Sequence, residues 1–79
     1  MHTSIVRVYS NKYGEFVSNA RVVLEWSGFT DLGMSKDVYT HSNGEAEIKH
    51  SGTRTAEVFI NGSHVGSMDT PGTKIFYID

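Results

Sequence analysis

The side chains best suited to chemistry in this sequence are four histidines, His2, His41, His50 and His64. Imidazole nitrogens bind zinc, but a zinc site needs three or four ligands that converge in tetrahedral geometry. No pair of these histidines has a recognised ligand spacing, and the chain has no cysteine to supply a thiolate. The pattern therefore favours four exposed or half-exposed histidines and predicts neither a metal site nor a cofactor.

Serine, histidine and aspartate are all present, so a hydrolytic triad is formally possible, but the chain has no nucleophile-elbow motif. Ser42 stands beside Asn43-Gly44, where a turn explains it. Glu45 and Glu47 alternate along a short β-like run, which is typical of the solvated face of a strand. A chain of this length also leaves little room for the deep cleft that most enzymes use. We predict that the protein is not an enzyme.

Asp31 and Asp37 flank "LGMSK" in and beside the connection 27–36, and their carboxylates are possible calcium ligands. Calcium loops of the D-x-[DN]-x-[DN]-G kind supply several oxygens at fixed spacing, and that pattern is missing here. We interpret 27–36 as an irregular, solvated loop. Its apolar residues are expected to cap an open end of the fold or to form a contact surface; they are Phe29, Leu32 and Met34.

Length and composition limit the classes of protein that fit. Residues 1–79 make one domain with a thin core, because a chain this short buries only ~60% of its unfolded surface. Seven basic and nine acidic residues are scattered along the chain, so no basic stripe marks a nucleic-acid partner. No apolar run approaches the ~20 residues of a membrane-spanning helix, and we expect no membrane insertion. The lack of cysteine excludes disulfides and leaves the compartment open.

The elements that must position any site are strands. Apolar residues alternate with period two, β-branched and aromatic residues dominate, and no long window keeps helical spacing. We predict an all-β fold of about seven strands, with a possible short paired segment at 15–17. The main runs are 4–9, 20–26, 37–42, 45–50, 55–61, 63–68 and 73–78.

Alternation also predicts which side chains face the core. The inward sets are Ala20, Val22, Leu24 and Trp26 in one strand, Ala56, Val58 and Ile60 in another, and Val6 and Val8 in the first. Phe59 and Tyr39 fall on outward faces. The last strand is apolar on both faces, with Ile75 and Tyr77 against Phe76 and Ile78, so alternation leaves its orientation open.

The stretch "THSNGEAEI" (40–48) predicts a hairpin whose register depends on its loop length. A two-residue loop at Asn43-Gly44 would place His41 in the core. A three-residue loop, 42–44, would instead pair Thr40 with Ala46 and leave His41 in water. A buried histidine without a partner costs ~1–3 kcal/mol, so we favour the longer loop with Gly44 at positive φ.

Two further turns are predicted from their residues. Asn61-Gly62 fits a two-residue type I′ loop that pairs Ile60 with Ser63 and places His64 opposite Phe59. "DTPG" (69–72) fits a type II turn, with Pro71 second and Gly72 third.

The motifs follow an order that is similar to known domains. "YGEFVSNARVVLEW", "YTHSNGEAEI" and "GTRTAEVFINGSHVG" resemble bacterial Ig-like domains of the invasin/intimin type and carboxypeptidase-regulatory-like (transthyretin-like) domains. The resemblance covers roughly residues 4–67 and implies a single Greek-key β-sandwich. In both families the domain usually serves as a non-catalytic spacer or binding module within a larger protein. We expect this chain to depart from that pattern by standing alone, which would leave a spacer nothing to space.

The sequence therefore predicts a non-catalytic structural or interaction module, and the resemblance implies a bacterial surface or multidomain protein as its setting. The alternative is a carbohydrate-binding module, because outward aromatics can stack on sugar rings as well as on protein. The predicted binding residues are Tyr39, Phe59, His64, Phe76 and Tyr77. We expect some of Tyr39, Phe59 and His64 to form one contiguous patch with either Phe76 or Tyr77. We expect that patch to contact a protein partner or to support weak self-association.

The missing ligand pattern gives a first prediction. Neither zinc nor calcium should bind specifically below roughly the millimolar range expected of chance surface ligands. Amide NMR spectra recorded during a metal titration test this. Saturable shifts of several histidine or aspartate signals at micromolar metal would contradict it.

Overall fold

The computed structural model describes residues 1–26 and 33–79, and these ranges contain β-strands and no helix. The predicted all-β class is confirmed, with nine strands where about seven were expected. They are β1 His2–Ser10, β2 Glu15–Phe16, β3 Arg21–Trp26, β4 Gly33–Met34, β5 Val38–Tyr39, β6 Glu45–His50, β7 Thr55–Ile60, β8 Ser63–Asp69 and β9 Thr73–Ile78.

The strands form two sheets that pack against each other. In sheet A the central strand is β1, which pairs with β2 and β6 in antiparallel fashion and with β9 in parallel. Because β6 and β9 both pair with the middle of β1, they must lie on opposite edges of it. Sheet B has β3 at its centre, with β4 and β5 on one side and β7 followed by β8 on the other.

Alternate residues of the long strands bury their side chains between the sheets. The inward sets predicted for 20–26, for 55–61 and for the first strand are confirmed, and Trp26 belongs to the core. Fully burying one such side chain stabilises a protein by roughly 1.5–3 kcal/mol, so this layer drives folding. The core contains Val6, Val8, Ala20, Val22, Leu24, Trp26, Ala46, Ile48, Ala56, Val58, Ile60, Met68 and Phe76.

The parallel register of β1 with β9 decides the strand that alternation left open. Val8 pairs with Phe76, so Phe76 points into the core and is only 6% exposed. Tyr9 pairs with Tyr77, so Tyr77 lies on the outer face of sheet A and is 62% exposed.

The three-residue loop at 42–44 is confirmed, although its arms do not form a hairpin ladder. His41 N–H donates to the Glu45 carbonyl, Gly44 has φ +80°, and His41 is exposed. Beyond the loop, β5 pairs with β3 in sheet B whereas β6 pairs with β1 in sheet A. The expected pairing of Thr40 with Ala46 is therefore wrong, because the loop carries the chain from one sheet to the other.

Thr40 anchors this crossing. Its backbone exchanges hydrogen bonds with residues 19 and 20: Thr40 N–H donates to the Ala20 carbonyl, and Asn19 N–H donates to the Thr40 carbonyl. The buried Thr40 hydroxyl accepts from Ala20 N–H at 2.9 Å and donates to the Val17 carbonyl at 2.6 Å. The segment before β3 supplies these partners, so it holds the crossing in place.

The Asn61-Gly62 loop has the predicted geometry. Both residues have positive φ, Ile60 pairs with Ser63, and Phe59 pairs with His64. One residue further the register shifts, so that Val58 pairs with Gly66 instead of Val65. Such a bulge twists a strand locally and leaves the extra residue unpaired.

Three other expectations need correction. The run 37–42 forms only the two-residue strand β5, and the loop 27–36 contains the short strand β4, which alternation did not reveal. The predicted type II turn in "DTPG" (69–72), with Pro71 second and Gly72 third, is wrong. The third residue of such a turn requires a positive φ, and Gly72 does not have one. The expectations for Phe29, Asp31 and Leu32 lie outside the described residues.

Gly44 yields a matched stability test. A Cβ there would lie 2.8 Å from Phe16 Cβ and 2.9 Å from the Val8 carbonyl oxygen, at a φ that β-branched residues resist. Gly44→Val should lower the free energy of unfolding by about 2–4 kcal/mol in urea titrations. The control is Gly33→Val, since no atom of residues 1–26 or 33–79 lies within 4 Å of a Cβ at Gly33. Equal losses from the two variants would contradict the assigned loop geometry.

Candidate functional site

The outer face of sheet A carries three aromatic side chains in a line, which we call the aromatic row: Tyr77, Tyr9 and Phe16. The register places them side by side, because Tyr9 of β1 pairs with Tyr77 of β9 and with Phe16 of β2. The ring centroids of Tyr9 and Phe16 are 5.0 Å apart at 84°, and those of Tyr9 and Tyr77 are 5.7 Å apart at 69°. Edge-to-face contacts of this kind fix the rings relative to one another.

Arg7 lies beside the aromatic row and is held on two sides. Its Cζ atom is 4.4 Å from the centroid of the Phe16 ring, a distance typical of a cation–π contact. Its Nε atom is 3.4 Å from Glu45 Oε2, close enough for an ion pair, yet this buried nitrogen has no hydrogen-bond partner in the described residues. The guanidinium is therefore held against the aromatic row, while its Nε–H makes no hydrogen bond to the described residues.

Two half-buried isoleucines extend the same face. Ile5 is two residues before Arg7 in β1, and Ile75 is two residues before Tyr77 in β9. Both isoleucines therefore lie on the same outer face and point away from the core. The outer face of sheet A thus combines aromatic, aliphatic and cationic side chains on neighbouring strands.

The outer face of sheet B holds three of the predicted binding residues. Phe59 and His64 face each other, with ring centroids 5.2 Å apart, and His64 Nε2 lies 2.6 Å from Glu57 Oε1. Phe59 is half-buried and lies opposite Val23, which is only 8% exposed although it points outward. Tyr39 is 53% exposed and pairs with Arg21 on the same face.

The single contiguous patch predicted from the sequence is wrong. Phe76 belongs to the core, and Tyr77 lies on the outer face of sheet A, which points away from sheet B. Only Phe59 and His64 are brought into direct contact, with Tyr39 on their face. The error arose in strand 73–78, because alternation could not say which of its two apolar faces was buried.

Sequence reasoning missed Tyr9 and Phe16 as candidates. Tyr9 has the same parity as the outward residue Arg7, so alternation alone could have placed it on the outer face. The position of Phe16 depends on the turn that folds β2 back onto β1, where Gly14 has a positive φ. Phe16 could have been placed on the outer face only by predicting that β2 pairs with β1 across this turn.

The histidines do not come together as a metal site. Among residues 1–26 and 33–79 no group of three histidine or carboxylate side chains could hold a metal ion. His2 and His50 are neighbours, with ring centroids 6.0 Å apart. His50 is only 6% exposed, so its predicted exposure is wrong. It has the same parity as Ala46 and Ile48 in β6, and that signal could have placed it inside.

His50 and Ser4 form a buried pair that resembles half of a catalytic triad. The Ser4 hydroxyl lies 2.7 Å from His50 Nε2, and His50 Nδ1 lies 2.8 Å from the Gly52 carbonyl. A carbonyl oxygen can only accept, so Nδ1 carries the proton and Ser4 donates to Nε2. The Gly72 N–H in turn donates to the Ser4 oxygen at 3.2 Å. Ser4 is fully buried, so no substrate reaches this oxygen, and the pair holds β1, β6 and the start of β9 together.

Trp26 completes this polar end of the core. Its indole N–H donates to the Thr70 hydroxyl at 3.0 Å, and that hydroxyl donates to the Arg54 carbonyl. The Trp26 ring lies 5.0 Å from the His50 ring. Each of these buried polar groups has a partner, as buried polar groups in stable proteins do.

An open groove of about 700 Å³ lies between β4 and β5 of sheet B and β6 of sheet A. Trp26, Met34 and Val38 form part of its wall on one side, and Ile48 and His50 on the other. Its lining mixes apolar residues with polar and charged ones, among them Lys36, Glu47 and Lys49, and we assign no chemistry to it. Of the calcium candidates, Asp37 is exposed beside it and Asp31 lies outside the described residues.

Comparisons of the chain with protein-family models, with curated proteins and with solved structures gave no match. In the part of the chain that the structure describes, no helix has the length and apolar character needed to cross a membrane. The candidate site therefore rests on the geometry of the two outer faces.

The structural reading of the Ser4–His50 pair gives a prediction. Ser4→Ala should lower the free energy of unfolding by about 1–3 kcal/mol in urea titrations, because it leaves Gly72 N–H and His50 Nε2 buried without a partner. The control Ser63→Ala, at an exposed strand position, should change it by no more than about 0.5 kcal/mol. Similar values for the two variants would show that the buried hydrogen bonds contribute little.

Proposed function

We propose that this chain is a non-catalytic interaction module that binds a protein partner through the outer face of sheet A. The observation that carries the proposal is the aromatic row, whose Tyr77 end is 62% exposed and whose Phe16 end carries the guanidinium of Arg7. Tyrosine, phenylalanine and arginine are the residues most enriched in the centres of protein interfaces. A preformed row also loses little side-chain entropy on binding, since its rings already pack on one another.

Two features favour protein over carbohydrate at this face. The rings of the row meet edge to face, so neighbouring rings do not present the coplanar platform on which a sugar chain stacks. Ile5 and Ile75 add aliphatic surface, which suits the apolar centre of a protein interface better than the hydroxyls of a sugar.

A carbohydrate-binding role is the alternative, and the outer face of sheet B is what favours it. Tyr39 is 53% exposed next to Arg21, and the Glu57–His64 pair supplies polar groups on β7 and β8 of the same face, beyond β3. A sugar needs an aromatic face for stacking and polar groups for its hydroxyls, and this face offers both.

We also propose a specific strand topology for the sandwich and a role for it within a larger protein. We infer a Greek-key sandwich of the Ig-like or transthyretin-like kind, serving as a module of a bacterial surface or multidomain protein. The support is that the chain passes repeatedly between the sheets and that the parallel strands β1 and β9 begin at one end of a body measuring 40 × 20 × 17 Å. Entry at one end and exit at the other suit modules joined in a row. Similar repeats flanking this domain in the gene would support that setting.

A binding screen with matched variants tests the proposed function. The wild-type protein is probed against a displayed peptide library and a glycan array, beside Tyr77→Ser and Tyr39→Ser. We expect peptide ligands whose affinity falls at least about tenfold in Tyr77→Ser and stays unchanged in Tyr39→Ser. Circular dichroism of each variant confirms folding, and both positions are exposed enough to tolerate serine.

The opposite dependence would contradict the assignment to sheet A. That result is peptide affinity that is unchanged in Tyr77→Ser and lost in Tyr39→Ser. Glycan binding with that same dependence would support the carbohydrate alternative instead.

A further inference from the structure

The open edge of β9 presents a row of unpaired backbone groups. In a strand each residue directs its N–H and C=O to the same side, and successive residues alternate between sides. The hydrogen bonds from Ile5 N–H to the Gly72 carbonyl and from Asn11 N–H to the Ile78 carbonyl show that the even-numbered residues of β9 face β1. Thr73, Ile75 and Tyr77 therefore direct their N–H and C=O groups away from β1, and no described strand pairs with that side.

The other long edges of the two sheets are protected. The β8 strand has a bulge at Val65, and its Ser67 carbonyl accepts a hydrogen bond from the Lys74 ammonium at 2.8 Å. The β6 strand carries exposed charges at Glu47 and Lys49. Bulges and charges of this kind discourage pairing with another chain. In β9 the one charged side chain, Lys74, turns toward β8 and leaves the edge of its own strand open.

We propose that β9 pairs with β9 of a second copy of this chain, antiparallel, about a twofold axis at Ile75. The inference rests on the proposed interaction role and names one partner for the same side of the molecule. The outward groups restrict the register to pairs among Thr73, Ile75 and Tyr77, because only these bring hydrogen-bonding residues opposite each other. Of the registers left, the one centred on Ile75 is the one that pairs all three residues of both copies. Ile75 then faces Ile75 of the partner subunit, and Thr73 faces the partner's Tyr77.

The strand is self-complementary in this register. All three outward N–H groups and all three outward C=O groups of each copy find partners. Lys74 lies opposite the partner's Phe76, so the two ammonium groups do not face each other, and Lys74 already lies 5.2 Å over the ring of its own Phe76. Like charges directly opposite would destabilise the pair, and this register avoids them.

Pairing through the edge of β9 also extends the outer face of sheet A, which carries the aromatic row. The four-stranded sheets of both copies become one continuous sheet, and on its outer face Ile75 meets the partner's Ile75 while Tyr77 meets the partner's Thr73. The half-buried Ile75 side chains would pack together there, which removes apolar surface from water on the side that carries the aromatic row.

The wild-type protein is tested first, by sedimentation velocity and amide NMR over a range of concentrations up to about 1 mM. A short edge interface should give a dissociation constant on the order of 0.1–1 mM. Amide shifts should grow with concentration at Thr73, Ile75 and Tyr77 and remain small at Lys74, Phe76 and Ile78, whose N–H groups face β1. A monomer with no such shifts at about 1 mM would overturn the proposal, and so would shifts centred on β8 or β6.

A charge-complementation experiment tests the twofold axis. Ile75→Lys alone and Ile75→Glu alone should each weaken self-association at least about tenfold, because like charges meet across the axis. An equimolar mixture of the two should associate again, since opposite charges then meet at the same position. Phe59→Ser, on the other sheet, should associate like the wild type. Failure of the mixture to recover association, with both variants folded by circular dichroism, would place the axis elsewhere.

The two proposals fail separately. A protein that stays monomeric but binds peptides in a Tyr77-dependent way would overturn only the edge pairing. A β9 dimer that binds no peptide would leave the edge pairing intact and overturn the proposed binding of another protein.

Discussion

The parallel pairing of β1 with β9 is the constraint on which the functional surface depends. It joins the first strand of the chain to the last and fixes the face on which each residue of β9 lies. Phe76 consequently fills the core and Tyr77 completes the aromatic row. The same pairing occupies the backbone groups of every second β9 residue and leaves the others open. One register thus determines the core, the exposed face and the free edge of sheet A.

The polar end of the core shows how a small domain holds its register. Ser4 links β1 to β6 through His50 and to the start of β9 through Gly72. A thin core supplies limited hydrophobic stabilisation, so satisfied buried hydrogen bonds that accept only one alignment matter more than in a large protein. A slip of one residue in β1 would turn Ser4 outward and leave His50 buried without a partner. The serine and histidine types that suggested catalysis are better explained as this alignment device.

Local signals in the sequence predicted most of the elements, and most of the errors came from non-local pairing, although His50 and the turn at 69–72 were misjudged from local signals. Alternation placed the inward residues of β1, β3 and β7, and the Asn-Gly pairs predicted the positive φ of Gly44 and Gly62. Loop length at 42–44 was also predictable, because burying His41 would have been costly. The sequence did not predict that β5 and β6, on either side of this loop, belong to different sheets. Their sheets depend on pairing with strands far away in the sequence. The same gap produced the single aromatic patch, which combined residues from opposite faces.

The two outer faces differ in how their polar groups are used, and this difference supports sheet A as the interaction surface. On sheet B the Glu57–His64 pair is about half-exposed, at 43% and 52% of the side-chain surface, and exposed pairs contribute little to stability or affinity. On sheet A the Arg7 guanidinium is held by a ring and a carboxylate, and its buried Nε donor is unsatisfied. The Arg7 side chain is nevertheless 31% exposed, while its Nε stays buried beside Glu45. A partner that covers the aromatic row can therefore place a carboxylate on the exposed part of a guanidinium that is already held in position, and charge-assisted hydrogen bonds of this kind are the strong ones.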